Sequence, residues 1–152
     1  YNNLKRIVQT DSHVMILTEM VHDVRVIRLN AEHRPGQLRS WMGDSVGHWE
    51  GDTLVVDTTN FVSNPALSGA DENLRVIERF KKEKDGSLLY SFRVEDPTVW
   101  TTAWEGDFPW PRTDDKVYEY ACHEGNYALG NIMRGARLLE QELEADSSAG
   151  GE

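Results

Sequence analysis

Residues 74–95 read LRVIERFKKEKDGSLLYSFRVE and carry the clearest hairpin signal of the chain. Two β-rich runs, 74–82 and 88–95, flank Asp85-Gly86, and such a pair between alternating runs is typical of a tight hairpin turn. Apolar and polar residues alternate within each run, as expected of a strand with one buried face. The segment therefore predicts two antiparallel strands joined by a short turn.

The same rhythm of short strands and turns continues in both directions from this hairpin. Further strands are predicted over residues 6–10, 14–21, 24–29, 48–51, 53–61, 99–104 and 116–122. A proline-rich loop is predicted over 108–112. About nine short strands without alternating helices indicate an antiparallel all-β meander.

Only the C-terminus shows a helical period. Residues 127–145 have apolar side chains at spacings of three and four, which is typical of an amphipathic helix. These side chains are Leu129, Ile132, Met133, Ala136, Leu139 and Leu143. Gly130 and Gly135 weaken the helix. We predict one domain over residues 1–146 that includes this helix, followed by a disordered tail at 147–152.

Charge and composition exclude several partner classes. The formal net charge of −10 argues against nucleic acid and against anionic membranes, since both are bound through Lys and Arg. No apolar run approaches the roughly 18 residues that a membrane span needs. Cys122 is the single cysteine, so no disulfide can form within the chain. The expected partner is a small molecule, and a homo-oligomer is left open.

Three carboxylates fall in apolar rows of the predicted strands, namely Glu19, Asp57 and Glu78. A buried carboxylate is costly unless it is paired or hydrogen-bonded. Several carboxylates that face one cavity would therefore indicate a functional site. The alternative is that each is paired with an arginine or lies at a rim. The arginines available for such pairs are Arg25, Arg79 and Arg93.

Residues 43–47, GDSVG, fit the G-x-S-x-G pattern of hydrolase nucleophile elbows, and Asp57 and His123 follow in the order of a catalytic triad. The elbow requires a helix after the serine. Here a β-rich run follows, so the motif predicts a glycine-rich turn instead. Cys122 and His123 are neighbours on a predicted strand and point to opposite faces, which argues against a nucleophile–base pair.

Metal binding has little support in the spacing of the histidines. His48, Glu50 and Asp52 could share one strand face, and sites of histidine and carboxylate bind zinc or another divalent metal. No HExxH motif is present. No cofactor is predicted, and a divalent metal held by histidine and carboxylate is kept as an alternative.

Residues 41–58, WMGDSVGHWEGDTLVVDT, and 118–127, YEYACHEGNY, resemble segments of a large uncharacterised family of bacterial proteins. The resemblance extends over residues 7–137. It implies a bacterial, often exported, periplasmic or secreted protein whose N-terminal part is missing here, and it implies no settled activity. The strand pattern also resembles lipocalin-type barrels, a similarity of architecture that does not establish function.

These observations predict a mainly β fold: an antiparallel meander closed into a small lipocalin-like barrel, or a curved sandwich, with one C-terminal helix. The expected function is to bind a small organic molecule in an aromatic-lined cavity. The residues expected to bind it are Trp41, Trp49, Trp100, Trp104, Tyr118, Tyr120, His48 and Glu50.

Two alternatives remain open at this point. The first is an enzyme, either an isomerase, cyclase, lyase or hydrolase, that uses a buried carboxylate and a histidine as general acid and base. Its catalytic residues would be Glu78, Asp57, Glu19 and His123. The second is an interaction or carbohydrate-binding module whose aromatic side chains lie at the surface.

Overall fold

The computed structural model describes residues 3–65, 67, 69–121 and 124–149, with side chains described up to residue 145. The chain divides into two compact units, Tyr1–Glu119 and Tyr120–Glu152, and each is described by itself. The first unit contains all the strands of the described residues, and the second contains a helix.

The first unit is one eight-stranded sheet in which each strand pairs with the next along the chain. Its strands are β1 Lys5–Gln9, β2 His13–Thr18, β3 Val24–Leu29, β4 Asp44–Glu50, β5 Thr53–Thr59, β6 Arg75–Lys82, β7 Leu88–Glu95 and β8 Trp104–Trp110. A short 3-10 turn, Met20–His22, links β2 to β3.

The sheet curls into a half-barrel. Adjacent strands lie about 4.8 Å apart, so a flat sheet would separate β1 from β8 by roughly 34 Å. Instead, the Lys5 ammonium on β1 lies 4.9 Å from the ring centre of Trp110 on β8. The two edges of the sheet therefore approach each other. The prediction of a mainly β, barrel-like fold with one C-terminal helix is confirmed.

The β6–β7 hairpin forms where the sequence predicts it. Its strands pair from Arg75 with Glu95 to Lys82 with Leu88. The Asp85 carboxylate accepts hydrogen bonds from the backbone N–H and the hydroxyl of Ser87, which stabilise the turn.

One strand pair departs from the antiparallel meander. Six of the seven pairs are antiparallel, whereas β3 and β4 are parallel. A parallel pair needs a crossover connection, and residues 30–43 supply it. The Asn30 N–H donates to the Gly47 carbonyl at the start of this connection. Ser40 then bridges to Phe61 near its end, which anchors the connection to the sheet.

Three local predictions are wrong. Residues 44–47 belong to β4 instead of a turn, because the buried Ser45 pairs with Thr58 on β5 through their hydroxyls, 2.9 Å apart. β8 extends over Trp104–Trp110 and crosses the predicted proline-rich loop. Pro109 is tolerated there because β8 is an edge strand of the sheet. The third error concerns two predicted strands, 99–104 and 116–122: residues 99–103 and 116–121 form no strand.

The inner side of the half-barrel, called here the concave face, holds the main core. Its first cluster consists of Val14, Ile16, Ile27, Leu54, Val56 and Phe80. A second cluster, Phe61, Leu74 and Val94, lies beyond it, with Phe92 and Trp100 packed against it. Strand alternation makes every second residue face inward, so these clusters determine which side chains line the concave face.

The second unit contains helix α1, Ala128–Ala149, which confirms the predicted C-terminal helix. The Asn126 side chain accepts a hydrogen bond from the Ala128 N–H at its start. Among the described residues, no helix combines the length and the apolarity that a membrane crossing requires. The single domain over residues 1–146 and the tail at 147–152 stay predictions.

The two glycines that flank β4 have positive φ, and they allow a test of how tightly this strand packs against β5. Gly43 and Gly51 have φ of 68° and 63°. A Cβ at Gly43 would lie 2.6 Å from the Thr59 carbonyl oxygen, whereas nothing lies within 4 Å of a Cβ at Gly51. We expect Gly51→Ala to lower the free energy of unfolding by about 1 kcal/mol because of its backbone conformation. Gly43→Ala should lower the free energy of unfolding by about 2 kcal/mol more than Gly51→Ala does, because its Cβ would clash with the Thr59 carbonyl oxygen.

Urea denaturation of the two variants beside the wild type measures this difference. Equal costs at the two positions would show that Gly43 does not lie against β5 as described.

Candidate functional site

The strand register places two charged side chains, Arg25 and Glu78, among the apolar residues of the concave face. Val56 on β5 pairs with Glu78 on β6, and Glu78 pairs with Phe92 on β7. On β3, Arg25 shares a face with the fully buried Ile27. The prediction that Glu78 lies in a buried apolar row is confirmed.

Arg25 and Glu78 form a bidentate ion pair across the concave face. Arg25 Nη1 donates to Glu78 Oε2 at 2.7 Å, and Nη2 donates to Oε1 at 3.0 Å. The side chains are 20% and 5% exposed, so water screens the pair little. The Tyr90 hydroxyl donates to Glu78 Oε1 at 2.9 Å. Both carboxylate oxygens of Glu78 are therefore engaged.

The environment keeps Tyr90 a hydrogen-bond donor. Burial raises the pKa of Tyr90, and the negative charge of Glu78 raises it further, because both disfavour a phenolate. Tyr90 is thus neutral at physiological pH and holds the Glu78 carboxylate in place. This arrangement suits a structural or orienting role for Glu78 more than proton transfer, because Glu78 is buried and both of its oxygens already accept hydrogen bonds.

Aromatic rings cover the concave face of β6, β7 and β8. Tyr90 stacks on Trp110 with ring centres 4.8 Å apart, and Phe108 meets Tyr90 edge-on at 5.2 Å. At the other end, Trp104 meets Phe92 edge-on at 5.6 Å. Such offset and edge-to-face contacts stabilise aromatic pairs beyond their area of burial.

A groove of about 530 Å³ lies between the two edges of the sheet, where β1 approaches β8. We call it the seam groove. The residues that line it include Lys5, Ile7, Leu88, Phe108, Trp110 and Arg112. Burial lowers the pKa of Lys5, since a low-dielectric environment disfavours its ammonium form. The seam groove therefore combines apolar rings with the cationic Lys5, with Arg112, which is paired with Asp114, and with the carboxylate of Asp115.

A second polar network lies on the outer, convex face. His33, from the crossover 30–43, lies between two aspartates: Nδ1 is 3.2 Å from Asp44 Oδ2, and Nε2 is 3.5 Å from Asp57 Oδ2. Arg28 donates to both oxygens of Asp44, and Arg75 donates to both oxygens of Asp57. The network ties the crossover to β3, β4, β5 and β6.

Each aspartate of this network is stabilised in its charged form. Burial raises the pKa of Asp44, but hydrogen bonds from the Arg34 backbone N–H, His33 and Arg28 outweigh it, so the pKa lies below its usual value. Burial likewise raises the pKa of Asp57, but the hydrogen bonds and charges of Arg75 and His33 together outweigh it, so this pKa also lies below its usual value. We interpret the network as an anchor of the crossover, because all its carboxylate oxygens have partners within the chain.

The predicted carboxylates do not converge. Asp57 pairs with Ile77 and therefore points away from the face of Glu78. Glu19 lies just beyond β2, and it is buried with Oε2 lacking a hydrogen-bond partner among the described residues. The expectation that Asp57 and Glu78 share one cavity is wrong, because a one-residue offset reverses the face of a strand. His123 lies outside the described residues.

The predicted ligand-binding residues are spread over several surfaces. Trp100 and Trp104 meet edge-on at 5.9 Å beside the second core cluster. Trp49 faces inward with Leu54 as its neighbour but is well exposed. Trp41 is 67% exposed and lines a separate groove of about 510 Å³ on the convex side.

The remaining members of the predicted set lie apart from the concave face. His48 and Glu50 form an exposed pair at 3.2 Å, and Glu50 also accepts from Arg79. The Arg79 hydrogen bond, with His48 second, lowers the pKa of Glu50. Tyr118 is exposed, and Tyr120 is half-buried in the second unit.

Sequence reasoning missed four residues of these sites. Lys5, Phe108 and Trp110 line the seam groove, and His33 links the convex aspartates. Trp104, Gly106, Phe108 and Trp110 recur at every second position, which is a strand period. Because Pro109 interrupts this pattern, the segment was predicted to be a loop. No sequence signal marks Lys5 or His33, because their neighbours come from distant parts of the chain.

Metal binding gains no geometric support. Within the described ranges, no group of three or more His, Cys, Asp or Glu side chains is arranged to hold an ion. His48 and Glu50 are engaged with each other and with Arg79.

The Arg25–Glu78 pair generates a stability prediction. Glu78→Gln should lower the free energy of unfolding by about 3 kcal/mol, because it leaves the Arg25 charge uncompensated. The double variant Arg25→Met with Glu78→Leu should be less destabilised, because it removes both charges. Urea denaturation measures both.

Glu50→Gln is the matched control, since Glu50 also pairs with an arginine but at the surface, and it should change stability little. A double variant less stable than Glu78→Gln would contradict this account of the pair.

The convex network predicts a pH dependence. Because the folded pKa of Asp44 lies below its unfolded value, its stabilisation is present above about pH 4 and is lost as the pH falls through the folded pKa. We expect Asp44→Asn to cost about 2 kcal/mol at neutral pH. The difference in free energy of unfolding between Asp44→Asn and the wild type should become smaller as the pH falls.

Denaturation between pH 7 and pH 3 tests this, with the exposed Asp107→Asn as control. A difference that stays constant with pH would rule out Asp44 as the titrating group.

Comparison with protein-family models, with curated proteins and with solved structures found no match in any of the three. The resemblance of residues 41–58 and 118–127 to a bacterial family therefore stays a prediction. The case for a function depends on the geometry of the site.

Proposed function

We propose that the half-barrel binds a small molecule with an apolar body and an anionic group, in the seam groove. The observation that carries the proposal is the composition of this groove: aromatic rings and cationic side chains line one volume of about 530 Å³. Ligand sites in proteins are typically apolar clefts of about 300–1,000 Å³ with a few polar groups that orient the ligand.

Aromatic surface is available for the apolar body of the ligand. The Phe108 side chain is 46% exposed although it belongs to the inward-facing row of β8. Trp110 lies behind it, stacked on Tyr90. An aromatic or alkyl group in the groove would cover the Phe108 ring and remove it from water, which is favourable in proportion to the apolar area buried.

Lys5 favours an anionic group. Its ammonium lies over the ring of Trp110, whereas Arg112 at the same groove is paired with Asp114. A carboxylate or sulfonate beside Lys5 would compensate the ammonium that burial disfavours. The lining of the groove carries two cations and the carboxylate of Asp115, whereas the chain as a whole carries a net charge of −10.

The ion pair in the centre of the concave face supports binding more than catalysis. Both oxygens of Glu78 already accept hydrogen bonds from Arg25 and Tyr90. These hydrogen bonds hold Glu78 in the wall of the half-barrel and engage both of its oxygens within the chain. We therefore propose a binding function, without a reaction.

The probe 1-anilinonaphthalene-8-sulfonate tests the proposal, because it combines aromatic rings with one anion. We expect saturable binding at a single site, followed by its fluorescence. Lys5→Met and Phe108→Ala should each weaken binding about tenfold, equivalent to about 1.4 kcal/mol. Alkyl and aryl carboxylates should displace the probe.

Trp41→Ala is the matched control, since this exposed aromatic residue lines a different groove, and it should leave probe binding unchanged. The uncharged probe N-phenyl-1-naphthylamine should respond to Phe108→Ala but not to Lys5→Met. Binding that is not saturable, or that ignores both groove variants, would overturn the proposal.

A further inference from the structure

Lys5 has unusual surroundings for a lysine. Its ammonium lies 4.9 Å from the ring centre of Trp110, inside the seam groove. Among the described residues it has no ion-pair partner, whereas Lys81 on β6 pairs with Glu83. Asp115 lines the same groove, but its carboxylate accepts a hydrogen bond from the Thr113 hydroxyl and forms no ion pair with Lys5. The amine of Lys5 therefore faces an aromatic ring instead of a carboxylate.

These surroundings increase the share of Lys5 that is a neutral amine. Although the residue as a whole is exposed, burial around its ammonium lowers its pKa. A carboxylate would oppose this effect, and Lys5 has none as a partner within the described part of the chain. The neutral amine is the nucleophilic form of lysine, and desolvation in apolar surroundings is one of the ways in which proteins activate it.

We propose that Lys5 is a covalent capture site, which forms an imine with an aryl aldehyde bound in the seam groove. The inference deepens the proposed function and rests on ligand binding in that groove. The exposed ring of Phe108 offers contact to the apolar body of the aldehyde. The carbonyl group takes the place that the anionic group of a non-covalent ligand would take beside the amine.

The reaction needs no reactant other than the aldehyde. The neutral Nζ attacks the carbonyl carbon, so that a C–N bond forms and an electron pair of the C=O bond moves to oxygen. The two hydrogens of the amine leave with that oxygen as one molecule of water, and a C=N bond replaces the C=O bond. Nothing is oxidised or reduced. Addition of a proton to the imine nitrogen then gives a cationic iminium.

Trp110 favours this charged product. The iminium would carry its charge at Nζ, where the ammonium already lies over the ring, and cations are attracted to the face of an indole. The ring is held in place because it stacks on Tyr90, whose hydroxyl donates to Glu78. The buried ion pair of the concave face thus positions the ring that stabilises the iminium.

Reductive trapping on the full chain tests the proposal, with 2-naphthaldehyde as the probe and cyanoborohydride as the reductant. Cyanoborohydride transfers a hydride to the iminium carbon and leaves a stable secondary amine. Peptide mapping with fragmentation measures the labelling of each lysine and separates Lys5 from the amino terminus. We expect Lys5 to be labelled at least about tenfold faster than Lys84, an exposed lysine outside the groove.

The dependence on concentration shows whether binding precedes the reaction. Labelling of Lys5 should saturate as the aldehyde concentration rises, whereas labelling of Lys84 should rise linearly. The anion 2-naphthoate should slow labelling of Lys5 alone, because it competes for the groove. Phe108→Ala should raise the aldehyde concentration required for half-maximal labelling at least about threefold. Trp41→Ala is the matched control and should leave labelling unchanged, since Trp41 lines a different groove.

Labelling of Lys5 that is no faster than that of Lys84, or that does not saturate, would overturn the proposal. If the wild type still binds 1-anilinonaphthalene-8-sulfonate at a single site, the proposed binding function stands and only covalent capture fails. If the chain neither binds that probe nor labels Lys5 selectively, both fail. Competition by 2-naphthoate uses the wild type, so the test does not depend on the folding of Phe108→Ala.

Discussion

Contacts across the concave face are the constraint on which the rest of the sheet depends. Arg25 and Glu78 belong to strands that are separated by two others, yet their side chains meet in a bidentate ion pair. Lys5 and Trp110 belong to opposite edges of the sheet and also meet. Neither contact exists in a flat sheet. The curl that makes them also encloses the apolar core, because it turns one face of every strand inward.

This curl separates two kinds of polar group. On the concave face, a low-dielectric environment requires each charge to have a partner, and Glu78 has two. On the convex face, Asp44 and Asp57 hold the crossover in place through His33 and two arginines. The first group shapes the inner wall of the half-barrel. The second makes the parallel β3–β4 pair feasible, because it anchors the connection that such a pair needs.

Elements with local signals could be predicted from the amino-acid sequence. The hairpin at Asp85-Gly86 and the helix beginning at Ala128 follow from turn chemistry and side-chain period, and alternation correctly turned Glu78 inward. Alternation could not decide which face of a neighbouring strand is concave, so Asp57 was assigned to the wrong side. Pro109 concealed an edge strand for a similar reason, since only strand order shows that its missing N–H is not needed. The approach of Lys5 to Trp110 and the position of His33 were decided by tertiary structure alone. The first depends on how far the sheet curls, and the second depends on where the crossover returns to the sheet. Both result from the combined geometry of many strands, so no local sequence pattern predicts them.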